Sequence, residues 1–220
     1  MIIERERVKE IFTRENINHV DVIVILDKNC NADCPLCVAK HIIKNSTCKT
    51  LCAGYKPKCK RCCDRTAEDG EFYAAVKDFF SAVNGQNVRV ILSGGEPTLS
   101  ERLLPVLEIL DGYEFGQMCI ETNGAGLLKE NISEELIKRK VQILLSRYGI
   151  TDEENNSIFN FQHDSVTMES VKAIMEKYKD FVTVSCIPLK CCVNSGTKLI
   201  EYYEYFKTLG ANDATFTEAM

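Results

Sequence analysis

The stretch CNADCPLC, residues 30–37, places Cys30, Cys34 and Cys37 within eight residues. Three thiolates are an incomplete set for a closed site. A structural zinc ion takes four protein ligands, and so does a fully ligated iron–sulfur cube. The loop therefore leaves one position open, either for a side chain such as His41, which would complete a zinc knuckle, or for a ligand that is not protein.

A second group of cysteines follows in CKTLCAGYKPKCKRCC, residues 48–63. Cys48, Cys52, Cys59 and Cys62 form two close pairs across a turn marked by Gly54 and Pro57, with Cys63 adjacent and spare. This is the pattern of a small zinc knuckle. The segment is too short and polar to build a core, so a metal would be what folds it. Structural zinc, an auxiliary iron–sulfur cluster, and a lid with free thiols all remain open. Lys49, Lys56, Lys58, Lys60 and Arg61 make the segment basic, which suits an anionic or peptide-carboxylate partner as well as a solvated loop. Cys186, Cys191 and Cys192 form a third group, a candidate substrate site or second metal site.

The chain of 220 residues is 45% hydrophobic and carries a net charge of -5, long enough for a sizeable core and too acidic for nucleic-acid or anionic-membrane binding through bulk charge. No apolar run reaches transmembrane length, and the charged start MIIERERVKE is no secretory signal, so a cytoplasmic location is expected. In that setting cysteines read as metal ligands or buried thiols rather than as a disulfide framework.

The elements that must position these groups follow from periodicity. A helical lead is expected over 4–15. Apolar runs at 20–26, 88–92, 117–122, 141–146, 181–187 and 213–219 predict six strands. Helical spacing predicts helices over 72–83, 100–110 (Ser100 as N-cap, Pro105 ill-placed), 133–140 (opening on the capping-box pattern SEEL), 167–178 and 197–210. Repeated strand–helix alternation implies a parallel α/β sheet with ligands at the carboxyl ends of its strands; periodicity does not separate a partial barrel from an open doubly wound sheet. The residues just past the strands are those cysteines, Gly94-Gly95-Glu96-Pro97, Glu121-Thr122-Asn123-Gly124, Ser146-Arg147 and Glu218. Cys119 alternates into a strand interior, as a small buried hydrophobe.

The C-x3-C-x2-C loop after the first strand, LSGGEPTL (92–99) after the second and ETNG (121–124) after the third together resemble the radical S-adenosylmethionine superfamily, in the branch of the molybdenum-cofactor cyclase and peptide maturases. Leu36 departs from the aromatic residue usual before the third cysteine. The resemblance implies a partial (β/α)6 parallel barrel over 1–220, with residues 41–67 as a small Cys-rich insert after the cluster loop. It implies a [4Fe–4S] cluster on Cys30, Cys34 and Cys37 whose open iron is chelated by the amino and carboxylate groups of S-adenosylmethionine. Reductive cleavage would then yield a 5′-deoxyadenosyl radical that abstracts hydrogen from a peptide or small-molecule substrate, with electrons from a donor such as flavodoxin or ferredoxin. By the same resemblance the backbone groups of Gly94 and Gly95, with Glu96, receive the methionyl ammonium. Thr122 and Asn123 suit the cofactor's polar end, Asn123 equally a plain Asn-Gly turn; Ser146 suits a ribose or carboxylate, and Arg147, by its fork, a carboxylate or else a surface ion pair. The family normally continues beyond a sixth strand, so a fragment is expected. The competing reading is a non-catalytic metal-binding interaction module.

Overall fold

The computed structural model describes residue 10, residues 19–35, residue 37 and residues 68–217. The expected lead helix, Glu218 and the insert with Cys48, Cys52, Cys59, Cys62 and Cys63 lie outside the described residues, apart from Glu10.

Six strands form one sheet: β1 (Val20–Ile25), β2 (Gln86–Ser93), β3 (Phe115–Thr122), β4 (Gln142–Ser146), β5 (Val182–Cys186) and β6 (Asp213–Phe216). They lie side by side in sequence order, and every pairing is parallel. Sequential order decides what periodicity left open. A doubly wound sheet reverses its order at a switch point, whereas crossovers of one hand in sequence order carry all the helices on one face. The fold is a partial (β/α)6 barrel, with β1 and β6 as its edges.

Among the described residues past β1 the helices are α1 (Asp69–Val83), α2 (Leu103–Leu110), α3 (Glu130–Lys138), α4 (Asp152–Phe159), α5 (Met168–Tyr178) and α6 (Gly196–Thr208). Alternate strand residues meet them: Val24, Val90, Leu92, Ile120, Ile143, Leu145, Val182 and Val184 share one core with Phe80, Leu107, Leu136, Val171 and Tyr202. The opposite residues face the concave side, where Ile23 and Ile25 stay 57% and 46% exposed. Among the described residues no helix is long and apolar enough to cross a membrane.

Several local expectations need correction. The helix expected from Ser100 begins at Leu103, after a 3-10 turn at Pro97–Leu99. Pro105 therefore sits in the first turn, where a backbone N–H has no helical acceptor to lose. Helix α3 starts at Glu130, so Ser133 is inside it, and its hydroxyl donates back to Glu130 O at 3.0 Å rather than capping. Helix α4 was not expected, although Thr151 and Glu154 form a full capping box at its start. The described part of the last strand ends at Phe216.

Candidate active site

The ladder between β1 and β2 continues beyond the strands. Leu26 N donates to Ser93 O (2.9 Å), Gly95 N to Asp27 O (3.0 Å) and Glu96 N to Asn29 O (2.7 Å). These bonds run the chain alongside Gly94–Glu96 and deliver it to Cys30. A Cβ on Gly94 would stand 2.6 Å from Asp27 O, and one on Gly95 only 2.0 Å from Asn29 O. The glycines thus permit the approach of the protein's own backbone, while still lining the cavity beyond it.

Cys30, Cys34 and Cys37 are half-buried and line one cavity of about 240 Å3 at the carboxyl ends of the strands. Ala32 N donates to Cys30 Sγ at 3.4 Å, and Cys34 Sγ lies 3.6 Å from Phe159 O. The loop is held from the far side by the segment after α4. Ala32 bridges Phe161, and Asp33 N donates to Phe159 O at 3.1 Å. Among the described residues no three His, Cys, Asp or Glu side chains are arranged to hold a single metal ion. Three thiols around one cavity are the kind of donor set that could hold an iron–sulfur cluster, each thiolate taking a different iron.

Glu96 is 1% exposed, and the protein supplies four donors to its carboxylate, three on one oxygen and one on the other. Oε1 accepts from Thr98 N (3.0 Å), Thr98 Oγ1 (2.5 Å) and Thr122 Oγ1 (2.5 Å), and Oε2 from Asn123 N (2.8 Å). Both hydroxyls in turn accept backbone N–H groups, from Gly124 and Gly126, which leaves their protons to point at Glu96. Burial pushes the Glu96 pKa up, and these donors pull against it. Glu96, Thr122 and Asn123 are accordingly a buried knot that joins the ends of β2 and β3, with their cavity side still open to a ligand.

Ser146 lines the cavity; Arg147 does not. Expected to offer its fork to a cofactor carboxylate, Arg147 is 1% exposed and donates to Gly149 O (3.1 Å), Val166 O (3.0 Å) and Asp152 Oδ1 (2.7 Å). It organises its own loop. The third cysteine group is likewise absent from the cavity wall. Strand alternation turns Cys186 into the helix-facing core, where burial pushes its thiol up to about 12. Cys192 is buried too, with its thiol raised to about 11 by burial, whereas Cys191 is exposed, its sulfur 3.6 Å from that of Cys192. The first residue past β5 that faces the cavity is Ile187. Cys119 is buried, as the alternation predicts, and its thiol is raised to about 11 by burial.

The cavity also holds residues to which sequence reasoning assigned no role. Glu121 projects from the end of β3 and accepts from Ser93 Oγ at 2.9 Å; the alternation that hides Ile120 points to it. Tyr148 and Phe159 form an aromatic wall with ring centres 4.9 Å apart, and Phe161 stacks behind at 5.0 Å. The Tyr148 hydroxyl is raised mainly by burial, then by the neighbouring thiols. Asn31, between Cys30 and Ala32, is fully buried.

No protein-family model and no curated sequence matches the chain. Solved structures do. SuiB of Streptococcus suis bound to its precursor peptide SuiA superposes at TM-score 0.63 with 17% identity, over 98% of this chain and 43% of SuiB. anSMEcpe with bound AdoMet gives 0.59 and 19%, over 92% of this chain and 52% of that one. The coproporphyrinogen III oxidase HemN of Escherichia coli, a radical SAM enzyme, gives 0.58 and 12%, over 99% and 48%. At these identities the likeness establishes the fold, and the chain spans about half the length of these proteins.

Proposed function

We propose that this chain carries the catalytic core of a radical S-adenosylmethionine enzyme. The observation that carries the reading is the meeting of Cys30, Cys34 and Cys37 with Gly94, Gly95, Thr122, Asn123 and Ser146 around one cavity, at the strand ends where this architecture holds its ligands. The three thiolates would hold three irons of a [4Fe–4S] cluster. When bound, such a group would supply the one electron needed to cleave S-adenosylmethionine reductively. The chain's own part is to bind, orient and exclude water. Thr122, Asn123 and Ser146 offer polar contacts to the cofactor. Glu96 Oε2 accepts a single protein donor and Glu96 lines the cavity, as does Glu121 beside Ser93, so these two carboxylates are assigned to the cofactor's ammonium. Tyr148 and Phe159 keep solvent from the cluster side.

The substrate assigned is a peptide rather than a small molecule, supported by the likeness to SuiB with its precursor peptide. A flavodoxin- or ferredoxin-type protein would supply the electron. The cysteine-rich insert is assigned its own metal, zinc or an auxiliary cluster, on its spacing alone.

Anaerobic reconstitution tests the reading. The Cys30–Cys37 loop should take up four irons and four sulfides, consistent with a cube, beyond any metal on the insert, and the protein should release 5′-deoxyadenosine on reduction with S-adenosylmethionine. Replacing Cys30, Cys34 and Cys37 with Ala should remove those four irons and abolish 5′-deoxyadenosine release. Cofactor cleavage by that triple variant, or zinc and no cluster in the native protein, would overturn the proposal. Metal retained by the triple variant and lost on further replacing Cys48 and Cys59 would locate the insert's own site.

A further inference from the structure

A buried side-chain amide sits inside the cysteine loop itself. Asn31 follows Cys30 directly and is fully buried. Its Nδ2 donates to the carbonyls of Asp164 (3.0 Å) and His163 (3.5 Å), and its Oδ1 accepts from Asn123 Nδ2 at 2.8 Å. Asn123 Oδ1 accepts from Ala125 N at 3.1 Å, while Asn123 N donates to Glu96 Oε2.

Chemistry fixes the orientation of both amides. Backbone carbonyls only accept, so the NH2 of Asn31 must face residues 163 and 164. The N–H of Ala125 only donates, so the oxygen of Asn123 must face it. What remains between the two side chains is one donor meeting one acceptor. Inverting either amide would strand buried groups.

We infer that Asn31 is the positioning residue of the cysteine loop, and that its amide bridge to Asn123 joins Cys30 and the Glu96–Thr122–Asn123 knot into one unit. The inference rests on the function proposed above for its meaning, though not for its test. It reaches beyond the ligands because Asn31 itself binds no metal. Its backbone and side chain set where Cys30 Sγ stands and how Ala32 N meets that sulfur at 3.4 Å. Hydrogen bonds to cluster sulfurs tune the reduction potential, and a loop tied to the cofactor side holds both ligands of the electron transfer at one spacing.

The test begins in the apo-protein, with iodoacetamide labelling of Cys30 followed by peptide mass spectrometry and exposed Cys191 as internal reference. Asn123→Asp keeps its shape and its bond to Ala125 N and replaces the donor to Asn31 with a carboxylate oxygen that faces Asn31 Oδ1, acceptor against acceptor. It should raise Cys30 labelling about tenfold, the effect of one lost buried hydrogen bond and its stranded partner. Asn31→Ser should raise it at least as much, and in that background Asn123→Asp should add nothing, because the bridge is already open. Labelling of Asn123→Asp at the native rate, or effects that multiply, would overturn the inference, and Asn123→Asp alone decides it if Asn31→Ser does not fold. In the reconstituted protein Asn31→Ser should retain its iron but shift the cluster's midpoint potential and electron paramagnetic resonance spectrum. A lower melting temperature with both unchanged would reduce Asn31 to a packing role and overturn the inference. Failure of the native protein to take up any cluster would sink the enzyme reading, and the apo-protein cycle would still decide the bridge.

Discussion

Glu96→Gln separates two roles for the carboxylate in the glycine-rich turn. Four protein donors converge on its two oxygens, and both threonine hydroxyls are oriented by backbone N–H groups behind them. An amide has one acceptor oxygen. Placed toward the two threonines, it turns NH2 at the N–H of Asn123; placed the other way, it turns NH2 at the N–H of Thr98. The first choice strands two buried donors, the Asn123 N–H and the incoming NH2, and the second strands more. At about 1–3 kcal/mol for each, less local relaxation, the substitution should cost about 2–4 kcal/mol. A chain of this size loses about 2–4 °C per kcal/mol, so the apo-protein should melt about 4–16 °C lower. The assay is thermal unfolding by circular dichroism in the absence of iron, alongside S-adenosylmethionine binding to reconstituted protein. A carboxylate reserved for ligand would behave in the opposite way, with native melting and lost binding. A variant melting within about 1 °C of the native protein would refute the reasoning.

Arg147→Ala should lower stability by about 2–3 kcal/mol in urea titrations, because it leaves three acceptors without their charged donor, and should leave cofactor affinity unchanged; a selective loss of affinity would return Arg147 to the cofactor. Gly95→Ala drives a methyl against Asn29 O and should lower the iron taken up per chain, since the displaced backbone leads straight to Cys30; full iron content would refute this. The Asp21 carboxyl lies below its ordinary pKa of 3.8, chiefly through its hydrogen bond with Arg89, its partner in the β1–β2 register, and then through His19. A depressed carboxylate stabilises above its unfolded pKa, and that contribution disappears as pH falls through the folded value. Melting temperature against pH should therefore fall less steeply below about pH 4 in Asp21→Asn, although the pair is half exposed and the difference small.

What could be read from the chain alone was whatever depends on neighbours in sequence. Strand positions followed from runs such as VDVIVIL and VRVIL, because alternation has a period of two wherever the strand ends up. The cysteine loop and the Gly-Gly-Glu-Pro turn were legible because ligand spacing and backbone permissiveness are local properties. Even the turning of Cys186 away from the cavity lay in that alternation, once Val182 and Val184 were assigned to the core. Other features depended on which partners the fold brings to each side chain, near or far along the chain. The sequential strand order made this a partial barrel, and order is a relation among six strands that no single period encodes. Glu96 looked wholly available until Thr98, Thr122 and Asn123 were found to bond it. Arg147 looked like a carboxylate receptor until Gly149, Val166 and Asp152 took its donors. Asn31 looked like a spacer between cysteines until residues 123, 163 and 164 closed around it. Buried polar groups must find partners, and most of the partners here lie one or more strand–helix units away, so only the folded chain decides which side chains remain for the ligand.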